Sequence, residues 1–277
     1  MTPRTATIGD TQIRWLEQDG DGTPIVLVHG IPTSPALWRH VTPRLTGHRV
    51  LAFEMTGYGE SIPAGTDRNI SVSAQADRLL AWLDHLGIAS AILVGHDLGG
   101  GVVHIAAVRR PSVCAGLLIT NGIGYDSWPI PSVKAMRLAS PAVSKLPAIA
   151  LKPTLAMLLA RGHDQLSVAK EALDVHYQPY ARHGGGAAMA RQVNSLDVND
   201  TLAVADQIPS LAGKPARIVW GVADHFQKAE YGERFARDLG VAMRRIDGGK
   251  HFTPEDHPDV IAVEIRSLAA EVDNPTP

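Results

Sequence analysis

The sequence predicts an α/β protein: a mostly parallel sheet flanked by helices, with a helical segment inserted late in the alternation. Three observations predict it. Short β-branched runs alternate with helical stretches, the pattern of strands joined by helical crossovers. Two of those runs, Ile25–His29 and Ala91–Val94, are almost wholly apolar, as strands buried on both faces must be. The alternation stops between about Asp126 and Pro209, where the chain reads helical and prolines at 129, 131, 141, 147 and 153 cut it into short pieces.

Taken in order, a candidate edge strand lies near Thr5–Ile8. It is followed by strands at Gln12–Glu17, Ile25–His29, Arg49–Phe53, Ala91–Val94, Gly116–Thr120, Ala216–Trp220 and Ala242–Ile246. The first two main strands, Gln12–Glu17 and Ile25–His29, are expected to form an antiparallel lead-in, because the link between them is too short for a helical crossover. Helical patterns cover Pro35–Leu45, Val72–Leu86, Gly99–Arg109, Tyr231–Leu239 and Pro258–Ala270. At ~100–200 residues per domain, the 277 residues allow one large domain or two small ones. The economical reading is one core, residues 1–125 and 210–277, with a helical cap at 126–209 inserted after the sixth strand. Such an insertion sits over the sheet edge where open α/β sheets bind ligands. A separate helical domain would bury little core of its own.

Composition narrows the partners. The chain is 45% apolar and 19% charged, which excludes a disordered protein. Its formal charge of −2 gives nothing for nucleic acid or an anionic membrane to hold. One cysteine, Cys114, forbids an internal disulfide, and the opening MTPRTATIGDTQIRW lacks the apolar run of a signal peptide. The stretch from Leu146 to Ala160 is interrupted by Lys152 and Pro153 and is too short to span a bilayer. The expectation is a soluble, cytoplasmic protein acting on a small molecule, of unknown oligomeric state.

The most informative segment is AILVGHDLGGGVVHIAAVRRP. An apolar strand runs into Gly95-His96-Asp97-Leu98-Gly99 and then into a helix. In the G-x-S-x-G form of this turn the central side chain is exposed above the sheet on a sharp bend. Here the central residue is Asp97, a carboxylate able to attack carbon and form an ester. The glycines do not fit a dinucleotide fingerprint, which needs glycine where Asp97 stands, nor a P-loop, which needs G-K-[ST]. The bland reading makes Asp97 an N-cap for the helix beginning near Gly99. Two later segments weigh against it. Ala216–Trp220 leads into Gly221-Val222-Ala223-Asp224, and Ala242–Ile246 leads into Asp247-Gly248-Gly249-Lys250-His251-Phe252. The chain order Asp97, Asp224, His251 is the nucleophile–acid–histidine order of one catalytic arrangement, with Asp in place of Ser.

On these residues the sequence resembles the α/β-hydrolase superfamily, in its aspartate-nucleophile branch of epoxide hydrolases and haloalkane dehalogenases. The resemblance covers nearly the whole chain. His29-Gly30-Ile31-Pro32, followed by Trp38, resembles that branch's H-G-x-P loop. Glu54-Met55-Thr56-Gly57-Tyr58-Gly59-Glu60-Ser61 resembles its D-x-x-G-x-G-x-S loop, with Glu54 where Asp is usual. Trp220-Gly221 to Asp224 resembles its acid turn, and Lys250-His251-Phe252-Thr253-Pro254-Glu255-Asp256-His257-Pro258 its terminal histidine segment. The resemblance implies the eight-stranded α/β-hydrolase fold, without cofactor.

It also implies a two-step route. Asp97 forms an alkyl-enzyme ester, and His251, oriented by Asp224, activates the water that hydrolyses it. The backbone N–H groups of Ile31 and Leu98 are the oxyanion-hole donors. For the leaving group, the positions that carry halide-binding side chains in dehalogenases are Ile31 and Leu98, neither with a side-chain donor. Trp128 is the remaining indole candidate. Epoxide hydrolases use cap tyrosines, for which the candidates are Tyr125, Tyr177 and Tyr180. Tyr125, Trp128 and Tyr177 are thus the expected pocket residues. Asp126 is a carboxylate that could stand in for Asp224. His96 is expected to touch neighbouring backbone, and His85, His104 and His176 to be structural or exposed. No His/Cys spacing suggests a metal site. The leading function is epoxide hydrolysis, the alternative carbon–halogen hydrolysis, and further alternatives are a specialised reaction or a non-catalytic ligand-binding protein on the same fold.

Overall fold

The computed structural model describes residues 1–274, so positions 275–277 of the expected second core segment lie outside the described residues. Strands β1 (Thr2–Ile8), β2 (Thr11–Gln18), β3 (Asp21–Val28), β4 (His48–Glu54), β5 (Ala91–Asp97), β6 (Cys114–Gly122), β7 (Ala216–Gly221) and β8 (Met243–Ile246) form one sheet in the order β1-β2-β4-β3-β5-β6-β7-β8. From β4 to β8 every neighbouring pair is parallel; β2 runs antiparallel to both β1 and β4. The lead-in is therefore antiparallel, but β2 does not pair with β3 as its proximity in sequence suggests. Strand β3 is buried along Ile25–Val28 and pairs with β4 on one edge and β5 on the other, which leaves the half-polar β2 outside β4.

The alternation of side chains along β3 sets the two layers. Val26 and Val28 point into a cluster with Leu79 and Trp82 of α1 (Val72–His85) and Val102 of α2 (Leu98–Arg109). Ile25 and Leu27 point the other way. Each such fully buried side chain contributes roughly 1.5–3 kcal/mol of transfer free energy. The expected helix over Pro35–Leu45 is instead two short 3-10 turns, Pro35–Trp38 and Thr42–Arg44. Pro43 cannot donate a helical hydrogen bond and clashes with the preceding turn, which ends helical continuity there.

Between β6 and β7 lie six helices: α3 (Pro131–Leu138), α4 (Ser140–Val143), α5 (Ala148–Gly162), α6 (Leu166–Arg182), α7 (Gly185–Asn194) and α8 (Asn199–Ala205). The first five share a small apolar cluster of their own, including Leu151, Leu155, Tyr180, Met189 and Val193, into which Ile62 enters from the sheet side, whereas α8 packs Val204 and Ala205 into the main core. After β7 come α9 (Ala229–Leu239), then α10 (Thr253–Asp256) and α11 (Pro258–Asp273) following β8. Ile261, Ile265 and Leu268 of α11 cover the Ile25–Leu27 face of the sheet.

One corner of the insertion is bound tightly to the loop that follows β8. The Gly162 carbonyl at the end of α5 accepts the N–H of His251 at 2.9 Å and of Phe252 at 3.1 Å. Next to it, Asp164 Oδ1 accepts the Lys250 N–H at 2.7 Å, and the Lys250 ammonium donates to the His163 carbonyl at 2.7 Å. A change in this corner therefore acts on the backbone of His251. No described helix is long and apolar enough to cross a membrane.

Candidate active site

The site begins where β5 ends. Asp97 has φ +52° and ψ −121°, a backbone conformation rare for a residue with a side chain and costing of order 1–3 kcal/mol. The turn is crowded as well as strained: a Cβ on Gly99 would overlap the Val28 carbonyl, and one on Gly30 would overlap the Asp97 carboxylate itself. The helix-cap reading of Asp97 fails, because its side chain makes no capping hydrogen bond to α2. Instead Oδ1 accepts the Ile31 N–H at 2.8 Å. The positive end of α2 lies directly behind, where it favours a carboxylate.

His251 and Asp224 meet this carboxylate from the other side. His251 Nδ1 lies 2.8 Å from Asp224 Oδ2, and Nε2 lies 3.5 Å from Asp97 Oδ2. Both ring nitrogens thus face carboxylate oxygens. Burial works against charging the ring, but Asp224 and Asp97 outweigh it and raise the His251 pKa to about 10. Burial likewise pushes the Asp97 carboxyl up, and the hydrogen bond and charge of His251 more than reverse this, so its pKa is lowered. Asp224 is held by three donors: His251, Asn121 Nδ2 at 2.8 Å on Oδ2, and the Phe226 N–H at 2.6 Å on Oδ1.

Two further histidines are buried here in neutral form. His29 accepts the Met55 N–H on Nε2 and donates from Nδ1 to the Gly30 carbonyl, with burial pushing its pKa down to about 3. His96 does touch backbone, with Nε2 2.9 Å from the His251 carbonyl; burial first, then the neighbouring His251, lower its pKa to about 4.

A cavity of about 50 Å3 opens on Asp97 and His251, bounded by Ile31, Leu98, Leu158, Phe226 and neighbouring residues. Of the expected pocket residues the structure brings in one. Trp128 lines the cavity, but its indole N–H donates to Thr201 Oγ1 at 2.7 Å and is not free for a ligand. Tyr125 packs on Phe235 beneath the Arg234 guanidinium and donates to Asp238 Oδ2 at 2.8 Å, away from the cavity. Tyr177 belongs to the insertion's own cluster, with the Lys152 ammonium 5.1 Å from its ring centre. Tyr180 donates to Gln192 Oε1 at 2.6 Å. Among the described residues no tyrosine lines the cavity. Apolar packing and available acceptors elsewhere explain these placements: a buried phenol goes where its hydroxyl finds a partner.

Asp126 is exposed, and the side of Asp224 facing β6 is occupied by Asn121, so Asp126 is no substitute acid. Asn121 was not legible as a site residue, since a lone Asn at a strand end has no motif. The hint was its place one strand over from the acid turn. Gln227 and Phe226, which line the cavity, follow Asp224 by three and two residues and could have been found by extending the acid turn.

Residues 23–258 match the family model described as the alpha/beta hydrolase fold. The chain is 31% identical over 235 residues to the dihydrolipoyllysine-residue acetyltransferase component of the acetoin cleaving system of Pseudomonas putida, a match covering 84% of this chain and spanning only 60% of that protein. It is 29% identical over 261 residues to haloalkane dehalogenase 2 of Mycobacterium tuberculosis, covering 89% of this chain and 88% of that one. Epoxide hydrolase B of the same organism is 35% identical over 102 residues, 36% of this chain and 29% of that one. Among solved structures, an alpha/beta hydrolase fold protein from Burkholderia ambifaria superposes with a TM-score of 0.87 at 26% identity, covering 95% of this chain and 97% of the other.

Proposed function

Because the chain belongs to the α/β-hydrolase superfamily, in the branch that holds the haloalkane dehalogenases and epoxide hydrolases, we propose that it hydrolyses a small electrophilic substrate, an epoxide first of all, through an ester on Asp97. The observation that carries this reading is the setting of Asp97. It is ionised, strained towards the cavity, hydrogen-bonded on one oxygen only by a backbone N–H, and faced by a histidine that is held by a second carboxylate.

In the first step an Asp97 oxygen attacks carbon and the carbon–oxygen bond of the epoxide breaks. Its electron pair stays on the leaving oxygen, which draws a proton from water. The hydroxide left behind is neutralised by the proton His251 gives up. That release follows from the electrostatics: esterified Asp97 has lost its charge, and with it part of what raised the His251 pKa. Neutral His251 then takes a proton from a second water, whose oxygen attacks the ester carbonyl. The Ile31 N–H, already bonded to Asp97 Oδ1, and the Leu98 N–H stabilise the oxyanion. Collapse frees the diol and restores the carboxylate. The insertion, residues 126–209, acts as a cap that excludes bulk water. The buried lone thiol of Cys114 fits a reducing, cytoplasmic location.

Carbon–halogen hydrolysis is the second reading, favoured by the length of the match to a haloalkane dehalogenase. The test is a panel of short terminal epoxides and bromoalkanes offered to a His251→Gln variant. Asp97 needs no base to become a nucleophile, so the variant should form the ester and stop. Intact-protein mass spectrometry should find the added mass, and peptide mapping should place it on Asp97. Turnover by the unmodified protein without any adduct in the variant, and without oxygen-18 from water entering Asp97, would make Asp97 a base or an electrostatic residue instead.

A further inference from the structure

We infer that Gln227 is the substrate-contacting side chain that holds the leaving group, an inference that rests on the Asp97-ester reading above. The cavity lining is apolar apart from four side chains: Asp97, His251, Trp128 and Gln227. Three of these are committed. Asp97 and His251 face one another and are held by Ile31 and Asp224, and the Trp128 indole donates to Thr201. Gln227 is different. It is 3% exposed; its Oε1 is enclosed without a partner, while its Nε2, the donor, makes no hydrogen bond to any described residue and is not among the enclosed atoms. An amide N–H2 left without an acceptor is costly, and polar groups inside native proteins nearly always have partners. The cavity is where this one can find it.

The side chain is also held in place for such a task. The Gln227 carbonyl accepts the Trp220 indole N–H at 2.9 Å, and one residue earlier the Phe226 N–H donates to Asp224. Gln227 is therefore anchored to the same turn as the acid, three residues on. Its amide offers N–H donors to a group acquiring negative charge and is itself neutral, so it neither competes with Asp97 for the electrophilic carbon nor perturbs His251. With the tyrosines placed elsewhere and Ile31 and Leu98 bearing no side-chain donor, Gln227 is the uncommitted side-chain donor of the described cavity. The ligand class that follows is a compact apolar molecule with one electronegative leaving atom, an oxirane oxygen or a halide, set against the amide while the carbon meets Asp97.

The experiment follows formation of the Asp97 adduct in the His251→Gln background, with 1,2-epoxybutane and 1-bromobutane as probes. Replacing the amide by an apolar side chain of similar length, Gln227→Met, should slow alkylation about 100-fold, the effect of removing one well-placed donor. The probe concentration at half-saturation should change little. Gln227→Glu should be slowed at least as much, because its charge opposes the one developing on the leaving atom. Thermal unfolding separates this from a packing role: removing an unpaired amide should leave the Gln227→Met midpoint unchanged or raised. Alkylation of Gln227→Met within twofold of the parent, or a lowered midpoint together with slowed alkylation, would overturn the inference. If the parent His251→Gln protein forms no adduct with either probe, the Asp97-ester reading fails first, and this inference with it.

Discussion

Two buried clusters of histidine and carboxylate lie at the same end of this molecule, built from nearly the same parts. In one, His251 sits between Asp224 and Asp97. In the other, Glu255 of α10 sits between His163 and His176 of the insertion, at 2.8 and 3.0 Å, with the Arg39 guanidinium on the same carboxylate. The difference lies in what is left open. Both Glu255 oxygens are occupied and its side chain is wholly enclosed; His163 also donates from Nδ1 to the Leu159 carbonyl at 2.8 Å. Burial raises the Glu255 pKa, but His176, His163 and Arg39 outweigh it and hold it well below the ordinary value. Asp97, by contrast, has one oxygen on a backbone N–H and the other at a loose 3.5 Å from His251, facing a cavity. A carboxylate with both oxygens paired is held in place, even though His176 Nδ1 and Arg39 Nη2 beside it lack partners; an acceptor left underused beside a cavity can react.

The comparison can be broken or sharpened in order of expected effect. Asp97→Asn should lower turnover by about 10⁴-fold or more, as removal of a nucleophile does, with no mass adduct on incubation with substrate. Asp224→Asn should lower ester hydrolysis by roughly 10³–10⁴-fold through loss of the orienting partner on Nδ1, without rescue by exposed Asp126; single-turnover decay of the adduct measures it. Bromide release from simple bromoalkanes should be slow, by about 100-fold for want of a side-chain donor at Ile31 or Leu98. Efficient bromide release that disappears in Asp97→Ala would reverse the substrate order.

Next comes pH. Adduct decay requires His251 neutral, so its rate should climb with pH by up to about tenfold per unit below the pKa that His251 has in the ester state. Adduct formation should stay level across the same range, because the lowered pKa of Asp97 keeps it ionised. Stability carries the opposite sign at His251: a folded pKa raised to about 10 contributes fully below the ordinary histidine value and is lost as pH rises through 10.

The smallest effect on chemistry belongs to the closed cluster. Glu255→Gln should cost about 3 kcal/mol of stability by leaving Arg39 and the histidines without their carboxylate. That corresponds to a melting point lower by roughly 6–12 °C, with adduct formation on Asp97 within a few-fold of the parent. The depressed Glu255 pKa means its contribution is present above the unfolded carboxylate range, near 4.5, and is lost as pH falls below it. A folded Glu255→Gln protein as inert as Asp97→Asn would erase the distinction between the two clusters.

What the sequence determined by itself was local. Apolar runs such as Ile25–Val28 read as interior strands and the glycines around Asp97 as a turn between strand and helix; the structure supplies the reason for the glycines, since a Cβ at Gly95 or Gly99 would meet backbone. The order Asp97, Asp224, His251, one at a strand end and two on the loops that follow strands, then places three competent side chains along one edge of one sheet. Tertiary structure decided everything that depends on competition between partners. It placed β4 between β2 and β3, because β3 needed parallel neighbours on both edges. It drew Tyr125 to Asp238, Tyr180 to Gln192 and Trp128 to Thr201, since each buried donor goes to whichever acceptor packing brings near. It put Asn121 on Asp224 and left the amide of Gln227 without a mate. Spacing along a chain carries the periodicity of helices and strands, but not the inventory of unpaired hydrogen-bonding groups, which exists only once side chains distant in sequence have been packed together.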